Sequence, residues 1–546
     1  MPNKICHGCR KARRRVACSP SNQRGDKEVP GKRASGRMRS LAAEHRDESN
    51  PVLRQSARRP DETHPHRMPM RGELEMSSSE SSEQAALPLT GAAVGDEPRS
   101  SQPHELRRRL EVRHVVCLAM ADASPAMAVL LLTAGVFQVG GTFGVGAMLI
   151  LSAVVVLIAM CLGELASAYP STGGSYSMVR SALPEPLAWI TLFNFVTQGI
   201  VIPASLLLGI PIFLKHLLPW ITMPNEAIAL ILLVVSGAIA ITKVEVGTNV
   251  NIGILIVQLV VVGLIVLAAI VAPAQNPLDI VFHPVVLQDG QLIPLTLGVA
   301  LATLAPAFNV LNGYDAVCGF VEELVGGARD VGKAVIYAAI LASILITIPL
   351  FAGVVAAPDL IAFLQSDAPI VEAVESALGP WASTIVNIGV IAALFNAALT
   401  LQMYFARGVF ASARDGLWPR AIGSKLAELN RFQSPGWGVA ALLIPSAVLI
   451  IMSNLDWLIM FAGTMIATVY FFVGIAALWS RIAQRELRRP FKMPFWPLPP
   501  VVVIAFTGYA LITQTSDFLI GELILAGIAV ALWALSRLWR GSIGER

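Results

Sequence analysis

The chain has 546 residues, of which 55% are hydrophobic and only 14% charged, with a mean hydropathy of +0.63, whereas soluble domains carry about 25% charge. A large soluble protein is excluded, because single cores stop growing near about 250–300 residues and cannot hide many apolar runs of membrane-spanning length. The net charge of +4 combines a basic first segment, with 18 Lys and Arg against 9 Asp and Glu over residues 1–75, with a slightly acidic remainder, 19 against 22 over residues 113–546; this argues for a polytopic bundle and against a partner nucleic acid.

Residues 1–112 are rich in Arg, Ser, Pro and Glu, include the low-complexity run at 76–83, and show no sustained apolar periodicity. Burial cannot offset the entropy of ordering such a segment, so it is predicted to be a disordered basic and Ser-rich tail. The first long apolar stretch begins only near Val115, which is too late for a secretory signal. The string from Cys6 through Cys9 to Cys18 resembles the opening of a fungal binuclear zinc cluster. Its second gap is too long, however, and no second cysteine triplet follows before Cys117, so no metal is expected. Two readings of the tail stand: a solvated basic segment that touches anionic lipid, or a segment without function upstream of a true start at Met76. Cys117, Cys161 and Cys318 lie in apolar segments at irregular spacing and are expected to be small buried side chains, not a disulfide framework.

A bilayer core near 30 Å needs about 20 apolar residues per helix. Applied in chain order, this ruler gives twelve segments: 115–139, 145–167, 189–214, 227–241, 252–272, 295–320, 335–357, 381–411, 439–452, 455–479, 501–513 and 518–538. The fourth, ninth and eleventh are short. Loop charge tests the count independently, because Lys and Arg concentrate on the cytoplasmic side of short loops. With the N-terminus inside, the cytoplasmic loops hold Arg180, Lys243, Arg329, Lys333, Arg414, Arg420, Lys425 and Arg431, then a basic cluster from Arg481 to Lys492, with Arg537, Arg540 and Arg546 at the end. The opposite loops offer only Lys215 and instead carry acids such as Asp279, Asp289, Asp359 and Glu372. The sequence therefore predicts an all-α polytopic membrane protein, with a twelve-helix domain over 113–546 and both termini cytoplasmic.

Carboxylates at membrane depth are costly unless they face a cavity or a partner. Asp122, in Met120-Ala-Asp-Ala-Ser-Pro125-Ala, and Asp315, in Phe308-Asn-Val-Leu-Asn-Gly313-Tyr-Asp after Pro306, both sit at helix breakers. A break frees backbone groups that a polar substrate or ion can satisfy, which is why transporters place discontinuous helices around a midplane site. The first and sixth segments are also five apart, the separation expected of two inverted five-helix repeats. Substrate contacts are accordingly expected from Asp122, Ser124 and Ala126 in the first break and from Phe308, Asn312, Gly313, Tyr314 and Asp315 in the sixth. Asn194 and Gln198 on the third segment are further polar candidates. The alternative for each aspartate is a local hydrogen bond at a proline kink.

The three stretches Glu164-Leu-Ala-Ser-Ala-Tyr169-Pro-Ser-Thr-Gly173-Gly174, Phe308 through Glu322 and Glu323, and Ala406-Arg407 with Ala413-Arg414-Asp415-Gly416-Leu417-Trp418-Pro419 resemble the amino acid-polyamine-organocation permease superfamily. The resemblance runs over about residues 110–540 and implies a five-plus-five inverted-repeat core with discontinuous helices 1 and 6, plus two C-terminal helices. It also implies secondary transport of amino acids or related amines by alternating access. Members of this kind resemble a Gly-x-Gly pattern in the first break, where bare amides receive a substrate carboxylate; here that stretch is Asp122-Ala123-Ser124-Pro125-Ala126. Two readings follow. A free Asp122 attracts an amine, polyamine or cationic amino acid, or else Asp122 lies just outside the site and Ser124 with the next amides receives a carboxylate.

Glu164, Glu322 and Glu323 are expected near Arg180, Arg407 and Arg414 as gating ion pairs, the alternative being solvated membrane-edge charges. Gly173 and Gly174 fit a tight turn better than a phosphate cradle. No Walker-type loop is present, so concentrating transport requires an ion gradient, exchange or the membrane potential. Asn396 and Thr400 on the eighth segment make a weak sodium site at best, and proton coupling through Asp122 or Asp315, or simple exchange, stays open. No cofactor is expected, and neither H-E-x-x-H nor G-x-S-x-G points to a membrane enzyme. A channel or receptor is disfavoured because no selectivity-filter repeat or ligand-binding domain is visible. A plasma or bacterial inner membrane is the default location.

Overall fold

A computed structural model of the chain describes residues 110–541 apart from 243, 326 and 367. The tail, cysteine string and Met76 start considered for residues 1–109 lie outside the described residues. In chain order the elements are α1 (Val112–Ala123), α2 (Pro125–Met127), a π turn (Ala128–Leu132), α3 (Thr133–Gly140), a 3-10 turn (Gly141–Phe143), α4 (Gly144–Ala168) and α5 (Gly174–Ala182). Then come α6 (Glu185–Leu217), α7 (Asn225–Ala240), α8 (Val244–Val271), α9 (Pro277–Phe282), β1 (Val285–Gln288) and β2 (Gln291–Pro294). The second half contains α10 (Leu297–Val310), a 3-10 helix (Tyr314–Glu323), α11 (Ala328–Val355), α12 (Leu360–Gln365), α13 (Pro369–Leu378) and α14 (Pro380–Arg414). It ends with α15 (Arg420–Leu426), α16 (Gly436–Met452), α17 (Leu455–Ala483), α18 (Leu498–Ile512) and α19 (Ser516–Gly541).

Among the described residues, 8 helical stretches are long and apolar enough to cross a membrane, and the first of them, Val112–Ala168, carries α1 through α4. Three shorter apolar helices, α7, α16 and α18, accompany them. The outer faces are oily: Val234, Ile270, Ile444 and Leu523 are 69%, 72%, 70% and 70% exposed. In water such a surface would drive association, whereas in hydrocarbon it costs nothing.

Because lipid tails are as apolar as leucine, helix pairing depends on close fit and on interhelical polar contacts. α6 runs along α14, and there Phe195 meets Phe405 edge-on at 4.7 Å and Tyr404 at 5.2 Å. α4 runs along α11, and α17 lies against both α6 and α18. The start of the described chain is also anchored: Leu110 N–H donates to Glu323 O at 2.9 Å, and Val325 N–H donates to Leu110 O at 2.7 Å.

One element departs from a purely helical expectation. β1 and β2 form an antiparallel hairpin in register Val286↔Ile293, turned by Asp289 and Gly290 with φ of 51° and 77°. Two adjacent residues at positive φ suit a two-residue hairpin turn. The hairpin is tied to the top of the broken first stretch, since Val285 N–H donates to Thr142 Oγ1 at 2.9 Å.

Candidate functional site

Both predicted breaks are present, and they differ in kind. In the first, α1 stops at Ala123 and Ser124 adopts the left-handed conformation, φ 41° and ψ 74°. Pro125 follows and cannot donate to the carbonyl four residues back, so a single residue out of helix suffices to interrupt the ladder. The helix restarts at once and passes through the π turn Ala128–Leu132. In the second, α10 ends at Val310, Gly313 has φ 93°, and the chain continues as a ten-residue 3-10 helix from Tyr314 to Glu323. Runs of 3-10 helix longer than three or four residues are uncommon, because their hydrogen bonds are poorly aligned.

The breaks touch. A Cβ on Gly313 would lie 2.4 Å from Ala123 N and 2.7 Å from the Asp122 carbonyl carbon, so only glycine permits this backbone approach at that φ. Beside the contact lies a cavity of about 50 Å³ bounded by both breaks, α6, α14 and α17, with room for only about four water-sized groups. Its polar edge consists of Asp122, Ser205, Asn309 and Asn312, and its apolar wall includes Ile202, Leu206, Leu401, Ile459 and Ile466. Asn309 Oδ1 is a buried acceptor without a hydrogen-bond donor, whereas Asn312 Oδ1 already accepts from Tyr470 Oη at 2.8 Å.

Of the residues expected at the substrate site, Asp122, Asn312 and Gly313 line this cavity. The others stand around it. Ser124 is turned toward α8 and α14, its hydroxyl 3.1 Å from Gln258 Oε1 and 3.2 Å from Ala393 O, two acceptors. Ala126 is fully buried. Phe308 packs on Tyr470 and Phe506, with ring centroids 6.0 and 5.9 Å away. Tyr314 stacks on Tyr470 at 6.1 Å, and Asp315 Oδ2 accepts from Tyr404 Oη at 3.1 Å. Asn194 and Gln198 face away from the cavity, toward Glu522 on α19 and Met465 O on α17. At the suggested sodium position, Thr400 donates to Asn396 O at 3.0 Å, and both polar atoms of the Asn396 side chain are buried without partners. Ser205, Asn309 and the α17 wall were not singled out from sequence. A hydroxyl or amide inside an apolar helix is the signal that marks the first two.

On the face that carries the basic loops, every acid and base proposed for gating is in an ion pair. Arg407 Nε meets Glu323 Oε1 at 2.6 Å with both side chains buried, and the guanidinium lies 4.5 Å from the centre of the Phe320 ring. Arg414 grips Glu322 with two nitrogens at 2.5 and 2.9 Å, and Glu322 Oε1 also accepts from Thr172 N–H at 3.2 Å. Arg180 pairs with Asp415, to which Tyr176 Oη donates at 3.2 Å. Burial, reinforced by the neighbouring Asp415 charge, pushes the Tyr176 phenol well up, so it remains a donor. Glu164 pairs not with Arg180 but with Arg481, has Arg489 Nε 3.3 Å away, and accepts from Met493 N–H at 2.7 Å. Gly174 begins α5 with φ 57°, in keeping with a tight turn.

Residues 110–532 match the model of a family described as amino acid permease. The chain belongs to that family. It is therefore an integral, multi-pass amino acid transporter and not an enzyme. Among its relatives, the branched-chain amino acid permease BcaP of Bacillus subtilis is 24% identical over 403 residues, covering 68% of this chain and 82% of the relative. An uncharacterised transporter of Mycobacterium tuberculosis is 25% identical over 451 residues, covering 80% and 93%. The vacuolar cationic amino acid transporter 2 of Arabidopsis thaliana is 26% identical over 355 residues, covering 61% and 53%.

Proposed function

We propose that this permease is a secondary active transporter that recognises the ammonium group of an amino acid at Asp122 and Asn309 and moves it by alternating access. One observation carries the reading: a carboxylate and a buried, undonated amide oxygen edge the same small cavity, where the two helix breaks meet. Both are acceptors, and a substrate ammonium is a three-donor group. The aliphatic wall of Ile202, Leu206, Leu401, Ile459 and Ile466 favours a branched apolar side chain, in keeping with what the B. subtilis relative's name describes. Room for about four water-sized groups falls short of a leucine-sized substrate with about nine heavy atoms, so loading requires the walls to part and the state described is a closed one.

A second reading is favoured by the first break itself. Pro125 removes one of the amides that would greet a substrate carboxylate, which suits a cationic amino acid, a polyamine or another organocation; the Arabidopsis relative's name points to cationic amino acids. The architecture supporting either reading is twelve spans, two of them within Val112–Ala168 and three supplied by α7, α16 and α18. These form two inverted five-helix repeats broken at helices 1 and 6, with two C-terminal helices added. Both termini are placed in the cytoplasm of a plasma or bacterial inner membrane, on the positive-inside distribution of loop charge. The Arg414–Glu322 and Arg407–Glu323 pairs then close the cytoplasmic side, and H⁺ or Na⁺ supplies the drive.

The test is proteoliposome uptake of leucine, isoleucine, arginine, putrescine and small amines, with and without pH and sodium gradients, in wild type and Asp122→Asn. Saturable uptake that the substitution abolishes while the protein remains folded supports ammonium binding at Asp122. Uptake unchanged in Asp122→Asn refutes it and leaves carboxylate recognition at the first break. Single-channel currents would overturn the transporter reading altogether.

A further inference from the structure

Glu522 is an intramembrane acid that no part of the cavity uses. It lies on α19, only 8% exposed, on a helix whose other faces hold exposed apolar residues such as Leu523 and Ile524. Its depth follows from an anchor: Trp533 Nε1 donates to Glu185 Oε2 at 3.1 Å, tying the later part of α19 to the start of α6. Glu522 and Asn194 stand roughly 16 and 14 Å from that anchor along their helices, near the middle of a hydrocarbon core about 30 Å thick. There Asn194 Nδ2 donates to Glu522 Oε1 at 2.7 Å.

The remaining atoms do not balance. Glu522 Oε2 and Asn194 Oδ1 are both buried acceptors without a donor. Thr468 on α17 also neighbours the carboxyl; its hydroxyl lies 3.1 Å from Thr464 O, to which it donates in the packing described. Among the described residues, no cation compensates a negative charge there. α6 carries Glu185, Lys215 and His216 at its ends, α17 carries Asp456, Tyr470 and Arg481, and α19 itself carries Asp517 and Arg537. Arg481 is paired with Glu164 and Tyr470 with Asn312, and among the described residues no cation forms an ion pair with Glu522. One added proton changes the count: Oε2 becomes a donor where it is now a buried acceptor without one, and the uncompensated charge disappears.

We propose that Glu522 is a proton-binding site of this transporter, occupied in the closed packing described here and emptied when α19 and α6 separate enough to hydrate the carboxyl. The site is coupled to the cavity through both partners. Ile202 and Ser205 of the cavity lie two to three turns beyond Asn194 on the same helix, and Ile466 lies two residues from Thr468. Ionised Glu522 opposes the packing of α6 and α17 that closes the cavity, and protonated Glu522 supports it. Proton coupling of transport through this acid rests on the proposed transport function, whereas its protonation does not.

The experiment uses the full chain reconstituted in liposomes. Infrared spectra of wild type and Glu522→Gln are compared across about pH 5 to 9, a span wide enough to ionise a moderately perturbed carboxyl. The glutamine amide donates and accepts as the protonated acid does, so the variant keeps its fold. Wild type is expected to show a protonated-carboxyl C=O stretch near neutral pH that shifts in D₂O, fades at high pH and is missing from Glu522→Gln. In the same vesicles, an internal pH dye is expected to report leucine- or arginine-driven proton entry in wild type, at least tenfold slower in Glu522→Gln with leucine or arginine exchange retained, and restored by Glu522→Asp. Absence of a carboxyl band that depends on Glu522, or proton entry in Glu522→Gln equal to wild type, overturns the proposal. If wild type moves neither leucine nor arginine, the transport reading fails, and the infrared band alone decides whether the proton site stands.

Discussion

The backbones of Gly313 and Ala123 meet where the two broken helices cross, so closely that a methyl group on Gly313 would sit 2.4 Å from the Ala123 nitrogen. The contact joins the end of α1 to the turn before the 3-10 helix, and the Asp122 carboxylate lies beside it in the cavity wall. Each break is thus held in place by the other. A shift of either segment moves the acceptors that define the site.

Gly313→Ala is the direct test of this contact. The alanine must hold φ near 93° and displace Ala123, at a cost of about 1–3 kcal/mol for the backbone alone. The expected result is a lower apparent Tm in detergent and at least a tenfold loss of uptake. A fully active, equally stable Gly313→Ala protein would show that the breaks tolerate separation in the working cycle.

Much of this arrangement was legible in the sequence, for physical reasons. Apolar run length and loop charge locate helices because a bilayer imposes both, and Asp122-Ala-Ser-Pro125 and Asn312-Gly313 mark breaks because proline lacks an N–H and glycine tolerates positive φ. Rotational position was not legible. An apolar helix offers no polar stripe from which to tell its lipid face from its buried face, so the sequence alone puts Phe308 and Asn194 on a par with the cavity residues, whereas Phe308 packs on Phe506 and Asn194 bonds Glu522. Asp289-Gly290 carries two signals at once, a loop acid and a hairpin turn, and the structure uses the second. Glu164 meets Arg481 and not Arg180, because the partner comes from a distant helix end that spacing along the chain cannot reveal.

That last pair makes a separate prediction. Glu164 is 1% exposed and receives Arg481, the Met493 amide and, at 3.3 Å, Arg489. Glu164→Gln removes the one anion that, among the described residues, pairs with both guanidinium groups, and breaking a buried pair from one side costs about 3–5 kcal/mol, the lower end applying here because Arg481 is 20% exposed. Thermal scans should show a large loss of stability and poor expression. Near-wild-type stability would mean that water reaches the cluster.

The two arginines of α14 should separate gating from folding. Arg407 is 1% exposed and bound to Glu323, so Arg407→Ala should destabilise the protein by about 3–5 kcal/mol. The Arg414 and Glu322 side chains are 31% and 21% exposed, and their rupture should cost about 1 kcal/mol or less. Cys318, buried on the 3-10 helix, provides a native reporter. Arg414→Ala should fold normally and raise the alkylation rate of Cys318 by about fivefold, the factor that 1 kcal/mol of lost closure allows. Unchanged labelling would remove this pair from the gate.

Tyr404 and Asp315 offer the last test, because their hydrogen bond at 3.1 Å links α14 to the N-terminal end of the 3-10 helix. Tyr404→Phe keeps the ring against Phe195 and Phe405 and deletes only the hydroxyl. The Asp315 oxygen is then left buried with one donor fewer, a loss of about 1–3 kcal/mol. If the bond only supports the fold, Tyr404→Phe lowers apparent Tm and the maximal uptake rate together. If the 3-10 helix pivots there during transport, the rate falls while substrate affinity measured by equilibrium binding stays within about twofold. Asp315→Asn, which can still accept from Tyr404, should be the milder of the two, and a reversed order would place Asp315 in the ion or substrate path in its own right.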